Sequence, residues 1–151
     1  MPTIDDVLKN FQSLNLEAEV PRIVEKLSAE LVDYNLHQLE MGITSDGVTI
    51  SPRYKNAKYA AFKQELDPRA GYGVPNLKLS GDFYAGFFVQ LQGIVFTFGS
   101  RDSKSSLLEG IYSKNGGIFG LTADNKAKFS IDNFRPELFS YINSKTGLPK
   151  I

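Results

Sequence analysis

The inventory of groups that could do chemistry is short. The chain has one histidine, His37, and no cysteine. His37 sits beside Leu36 and Leu39 in a stretch with helical spacing, where a lone histidine reads as a surface or packing residue. A Ser–His–acid arrangement would have to use it, yet no G-x-S-x-G elbow occurs. Metal sites built from His or Cys are excluded by count. The acidic stretch "DNKAKFSID", residues 124–132, lacks the ligand spacing and central glycine of a calcium loop. "GYGVPN" at 71–76 is no dinucleotide fingerprint: the third glycine is missing and Pro75 stands where a helix should open. No Walker-type lysine follows any glycine. A hydrolase with a carboxylate pair stays open as an alternative, although no Trp is present to stack on sugar and nothing selects one acidic pair. No catalytic, cofactor-binding or metal residue is therefore assigned, and the expectation is a protein without enzymatic activity.

A second kind of chemistry is written in "RYKNAKYAAFK", residues 53–63. Arg53, Lys55, Lys58 and Lys63 interleave with Tyr54, Tyr59 and Phe62. Cations of this kind neutralise phosphates while aromatic rings stack on bases, which makes Arg53, Tyr54, Lys55, Lys58 and Tyr59 candidate nucleic-acid or assembly contacts. The plainer reading is a solvated amphipathic segment whose rings dock on the core, since Glu65 and Asp67 follow directly. Any DNA contact made here should be electrostatic and independent of sequence. The formal net charge of zero hides a division along the chain. Residues 1–50 hold three basic residues, Lys9, Arg22 and Lys26, against nine acidic ones, whereas residues 51–151 hold fourteen basic against eight acidic. The halves either pack on each other or meet head to tail between copies.

The elements that position these groups follow from periodicity. Thr3 and Asp6 form a capping box with Asp in the Glu position, and Ile4, Val7, Leu8, Phe11 and Leu14 keep helical spacing behind it. A longer amphipathic helix is predicted with Pro21 in its first turn and Val20, Ile23, Val24, Leu27, Leu31 and Tyr34 as its stripe, running to about Glu40 and stopping at Gly42. It is expected to be the longest element. Asp46-Gly47 marks a turn between short extended pieces. Residues 51–66 read as irregular, then helical from Asn56, and 67–76 as a loop with two Pro and two Gly. In "LKLSGDFYAGFF", residues 77–88, Gly81 is read as a backbone hinge into a strand. Phe83, Ala85, Phe87, Val89 and Leu91 alternate there with Tyr84, Gly86, Phe88, Gln90 and Gln92. That alternation buries Phe83 and Phe87 and leaves Tyr84 and Phe88 as an outward aromatic contact face. Gln92-Gly93 is the predicted turn, with Ile94, Phe96 and Phe98 alternating on the return strand to close a hairpin over 83–99. The polar stretch 100–117 carries a small apolar insert and ends at Asn115-Gly116-Gly117. Thr122 caps one or two helical turns, and a last helix starts at Asp132 or Asn133 with Pro136 in its first turn and Gly147 at its end.

The fold class is thus α+β: a long N-terminal amphipathic helix packed on a small antiparallel sheet, with a C-terminal helix. At 151 residues one domain is expected, with 1–19 as a candidate helical extension and 147–151 as a short tail. The acidic N-terminus matches neither a signal nor a transit peptide, no apolar run is long enough to span a bilayer, and zero Cys implies no oxidising compartment.

In this order the elements resemble those of tailed-phage virion-morphogenesis and tail-completion proteins. Such proteins carry a Leu-Thr/Ser-Gly-x-Leu/Phe motif ahead of a hairpin whose second strand ends in Gly-Ser. It reads here as Leu79-Ser80-Gly81-Asp82-Phe83, with Gly99-Ser100 at the hairpin end. A polar segment ending in Gly and an "FxGLT" piece before the last helix match "SKSSLLEGIYSKNGG" and Phe119-Gly120-Leu121-Thr122, and "DGVTISPRY" is similar to the family's lead-in. The similarity covers residues from about Leu31 to Gly147. It departs at Gly86, where the family has Ser, in Lys and aromatics replacing an Arg-rich character, and in residues 3–15, which have no counterpart. The resemblance implies a structural virion protein that forms or completes a ring at the head–tail junction, neck or tail terminus. Its partners would be copies of itself and portal-proximal connector and tail proteins. No cofactor or membrane would be involved, and the protein would reside in the virion after assembly in the host cytoplasm.

Overall fold

The computed structural model describes residues 3–92, 95–114 and 116–147. It is a mostly helical α+β fold with a two-stranded antiparallel hairpin. The first helix, α1 (Ile4–Gln12), opens on the capping box that the sequence spells: the Thr3 hydroxyl accepts from the Asp6 amide at 3.2 Å, and the Asp6 carboxylate accepts from the Thr3 amide at 2.9 Å. The long helix expected over 21–40 is two shorter ones, α2 (Leu16–Lys26) and α3 (Ser28–Glu40). Asn15, not the residue before Pro21, caps α2, so Pro21 lies inside the helix. The axis breaks at Leu27, a buried residue with φ −94° and ψ 15°. The break keeps Ile23, Val24, Leu27 and Leu31 in a single cluster. Gly42 ends α3 as predicted. Its φ is 71°, its amide donates to Leu39 C=O and the Ile43 amide donates to Gln38 C=O, the paired bonds of a Schellman cap. A Cβ at Gly42 would lie 2.7 Å from Val74 Cγ1, so the cap is also a point of close packing.

The Asp46-Gly47 turn is present, with Gly47 at φ 80° and a bridge between Ile43 and Thr49. Asn56 caps α4 (Ala57–Leu66), accepting from the Tyr59 amide at 3.0 Å. The strand expected from Phe83 begins later. Residues Asp82–Ala85 form a single helical turn, α5, entered through Gly81 at φ 90°. Consequently Phe83, Tyr84 and Phe87, at helical rather than alternating spacing, all face one core. The reading of Tyr84 as an outward contact residue is therefore corrected: it is 8% exposed, and its hydroxyl donates to Asn76 C=O at 2.5 Å. Gly81 does act as the hinge, but it opens a helical turn instead of a strand.

Strands β1 (Phe87–Gln92) and β2 (Val95–Ser100) pair antiparallel with Phe87 opposite Ser100 and Gln92 opposite Val95. Val89, Leu91, Phe96 and Phe98 pack inward while Gln90, Val95 and Thr97 stay exposed, so the two-residue period holds from Phe87 onward. The predicted turn at Gln92-Gly93, with Ile94, and the end of the polar stretch at Asn115 fall on or beside residues outside the described set. The apolar insert "SSLLEGIY" is helix α6 (Ser105–Tyr112).

Thr122 caps the next helix, accepting from the Asn125 amide at 3.2 Å. The separate last helix does not exist. Helix α7 (Ala123–Lys128) runs through a π-helical turn, Phe129–Phe134, into α8 (Arg135–Thr146), giving 24 continuous residues and the longest element among those described. Pro136 brings no amide hydrogen and its ring needs space on the preceding turn. The wide turn, in which the Arg135 amide donates to Ser130 C=O, supplies that space and lets the helix continue. Gly147 closes it at φ 70°.

Helix α3 lies between two core clusters. Leu31 joins the one holding Ile23, Val24, Leu27, Leu121 and Phe129, and Leu39 joins the one holding Ile50, Phe83, Tyr84, Phe87 and Ile118. Between them α3 buries two amides. Asn35 donates to Ile118 C=O at 3.1 Å and accepts from the Gly120 amide at 2.8 Å. Gln38 donates to Gly120 C=O at 2.9 Å and accepts from the Thr122 amide at 2.8 Å and from Asn125 Nδ2 at 2.7 Å. The helix thus holds the segment 118–122 by its main chain, satisfying backbone groups that would otherwise be buried without partners.

Candidate assembly surface

Helix α4 is turned opposite to what its composition suggests. The face it buries is Ala60 and Lys63, the latter 5% exposed, whereas Phe62 is 48% and Leu66 56% exposed. What holds it this way is polar. Lys63 Nζ donates to Asn76 Oδ1 at 2.8 Å and to Lys78 C=O. Asn76 Oδ1 also accepts from the Lys78 amide at 3.1 Å, and Asn76 C=O accepts the Tyr84 hydroxyl. Burial pushes the Lys63 ammonium below its ordinary value, with Asp67 opposing that shift and Lys78 adding to it. Burial likewise pushes the Tyr84 phenol well up. The lysine therefore clamps loop 76–78 to α4 through two carbonyl-type acceptors. Leu77, at the centre of the clamp, holds φ 60°, a left-handed backbone that a branched residue adopts only under constraint from its surroundings.

With Lys63 inward, the remaining side chains of the segment form an outer strip. Tyr59, Phe62 and Leu66 follow one another at i, i+3 and i+7, and all are exposed. Tyr54 meets Tyr59 edge-on at 4.9 Å between centroids, and Tyr59 meets Phe62 at 6.1 Å. Tyr54 is half-buried, its amide donates to Gly73 C=O at 2.9 Å, and burial pushes its phenol up to about 12. Lys55 and Lys58 are exposed beside these rings. Arg53 is exposed too, its guanidinium 3.5 Å from Tyr72 C=O. The structure thus brings Arg53, Tyr54, Lys55, Lys58 and Tyr59 onto one surface and sends Lys63 and Tyr84 inward. Phe88 lies elsewhere, half-buried in β1, with the Arg101 guanidinium 4.6 Å from its ring centroid and Gly99 beneath it.

Beside α4 a cleft of about 250 Å³ opens between residues 77–83 and α6, with Tyr54, Lys63, Asp82, Asp102, Lys104 and Tyr112 among its walls. Lys63, Lys78 and Lys104 line it against Asp82 and Asp102, which leaves the cleft slightly cationic. The Asp82 carboxylate accepts from Ser80 Oγ at 2.9 Å at the rim of this cleft. His37 is on the surface at the end of α3, 3.8 Å from the Glu40 carboxylate. Glu40 itself gathers Arg69 at 3.0 Å and Lys78 at 3.2 Å, and Asp67 chelates Arg69, which holds the Asp67 carboxyl down to about 2. Among the described residues no His, Asp or Glu cluster could hold a metal ion, and no helix is long and apolar enough to cross a membrane.

A second exposed apolar stripe lies on α1. Val7 and Asn10 turn toward the body of the protein, where α1 packs on α8, while Ile4 (80% exposed), Leu8 and Phe11 face outward at i, i+4 and i+7. The sequence shows the α1 periodicity without assigning its face, and for 53–63 it leaves open an outward contact surface and rings docked on the core. Comparison with protein-family models, with curated proteins and with solved structures finds no match for this chain.

Proposed function

We propose that this protein is a structural subunit of a tailed-phage virion, one copy of a ring that forms or completes the head–tail junction, neck or tail terminus. The observation that carries the reading is the pair of apolar stripes on α1 and α4, which a monomer leaves in water and which a ring of copies would cover. The order of motifs supports it. Leu79-Ser80-Gly81-Asp82-Phe83 precedes the hairpin, Gly99-Ser100 ends β2, and Phe119-Gly120-Leu121-Thr122 leads into the last helix, the order that the family resemblance implies. On this reading the protein works by contact and carries no catalysis, and its other partners are portal-proximal connector and tail proteins. Native mass spectrometry of the purified chain, followed by electron microscopy of the assembled species, tests it. A closed oligomer is expected, and a chain monomeric at every concentration overturns the reading.

The second reading is a non-specific nucleic-acid-binding accessory module, favoured by Arg53, Lys55 and Lys58 lying exposed beside Tyr59 and Phe62. It requires affinity for single-stranded DNA that falls steeply with salt and is indifferent to sequence.

A further inference from the structure

The two exposed stripes differ in charge as well as position. The α1 stripe of Ile4, Leu8 and Phe11 is flanked by Asp5, with Asp6 on the same turn and Glu17 and Glu19 in the first turn of α2. Against these four carboxylates the region offers Lys9 and Arg22, and Arg22 pairs with Glu19, so Asp5, Asp6 and Glu17 carry the acidic character of this face. The α4 stripe of Tyr59, Phe62 and Leu66 is flanked by Lys58, one helical turn before Phe62, and by Lys55 and Arg53 just ahead of the helix. Glu65 is the exposed acid on that helix. Each stripe has three large apolar side chains spaced over two turns, so the two match in length and in kind.

An isolated nine-residue helix such as α1 is marginal in water, and the fold gives it only one packed side. Its outer stripe cannot pair with its own copy at low cost, because that brings the carboxylates of two α1 helices together. The same objection, with opposite sign, applies to two α4 faces. An α1 stripe on an α4 stripe joins apolar to apolar and acid to base.

We infer that α1 of one copy docks on the outer face of α4 of the next, a heterologous contact between copies of this chain in which Ile4, Leu8 and Phe11 meet Tyr59, Phe62 and Leu66. The inference rests on the assembly reading above and names the two surfaces that build the ring. Because the surfaces are different, each copy keeps one of each free after a single contact, and growth stops only when the ring closes.

The test uses two full-length variants, Leu8→Glu on α1 and Phe62→Glu on α4. Both positions are already solvent-exposed in the monomer, so folding is retained and is checked by the melting temperature. Each variant alone should lose self-association by about a hundredfold or more in Kd, since a charge then lies at the centre of an apolar contact. Mixed one to one, they should form a 1:1 heterodimer and nothing larger, because the mixture contains one intact α1 face and one intact α4 face. Lys55→Glu with Lys58→Glu should weaken association and be partly rescued by Asp5→Lys on the partner copy. Wild type that assembles while both variants assemble equally well overturns the α1–α4 contact and leaves the ring reading standing. A Phe62→Glu chain that still dimerises while Leu8→Glu does not assigns α1 to a symmetric contact and overturns the inference. Wild type that stays monomeric assigns the stripes to a different partner and overturns both.

Discussion

Replacing Asn35 by Leu removes two hydrogen bonds while keeping the branching of the side chain, and the consequence can be worked from the structure. Asn35 and Ile118 have no exposed surface, and Ile118 C=O and the Gly120 amide are the groups that Asn35 satisfies. Leaving a buried main-chain donor or acceptor unpaired costs about 1–3 kcal/mol, so Asn35→Leu should cost roughly 2–6 kcal/mol. Leucine offers added apolar contact on either side, where α3 already places Leu31 and Leu39, but it cannot donate to or accept from the segment. Against a total stability of about 5–15 kcal/mol this loss is large. For a chain of this length it corresponds to roughly 2–4 °C in melting temperature for each kcal/mol. The assay is urea unfolding of wild type, Asn35→Leu, Gln38→Leu and the double variant, with amide exchange read at Gly120 and Thr122. Both amides should be protected in wild type. Asn35→Leu should expose Gly120 first, and the double variant should fall short of additivity because one segment, 118–122, is released in both. An Asn35→Leu protein within about 0.5 kcal/mol of wild type, with Gly120 exchange unchanged, would refute the reasoning that α3 holds this segment by its main chain.

Tyr84→Phe should cost about 1 kcal/mol through its bond to Asn76, and Tyr84→Ala several times that, while Phe88→Ala should cost less than Tyr84→Ala; chemical denaturation of the three variants checks the order. Gly42→Ala should destabilise strongly, because it combines a φ of 71° with a Cβ 2.7 Å from Val74, and a melting temperature within a degree or two of wild type would be the contrary result. Lys63 carries a lowered pKa in the fold, so the unfolded chain binds its proton more tightly and stability should rise with pH from the depressed value toward the ordinary 10.5. Lys63→Met should abolish that rise, as read by unfolding at a series of alkaline pH values.

What the sequence made legible is local. Thr3, Asn56 and Thr122 each cap the helix that follows because the hydroxyl or amide needs only the next turn for a partner. Gly42, Gly47 and Gly147 end or reverse the chain because they alone tolerate the φ required there. The alternation from Phe87 to Phe98 announces the hairpin for the same reason. Where a second element decides, periodicity misleads. Nothing near Leu27 breaks a helix, so the bend comes from packing. Phe83 and Tyr84 fit a strand pattern and a helical turn equally well until Asn76 fixes the Tyr84 hydroxyl. Pro136 reads as a helix start and is instead carried through by a wider turn. For the candidate surface, the residue types of 53–63 were visible but not their direction, which Asn76 and the Lys78 carbonyl set by capturing Lys63. The amides of Asn35 and Gln38 had a signal that could have been used: two polar residues three apart, on the stripe side of an otherwise apolar helix face.

The π-helical turn at Phe129–Phe134 has an effect on phase. An α-helix advances about 100° per residue, and a π turn takes in one residue more than an α turn. Every side chain after it is therefore rotated by about one residue's angle relative to an unbroken helix. Up to the start of the turn, Asn125 and Phe129 face α3 and its cluster; beyond it, Glu137 reaches Lys26 at 2.8 Å and the Tyr141 hydroxyl accepts from the Asn15 amide at 3.3 Å. One rod thus serves two neighbours on two headings. Removing a single residue between 129 and 134 would leave the rod intact in length and helicity but turn its last three turns away from α1 and α2, loosening the helix that carries the outward apolar stripe.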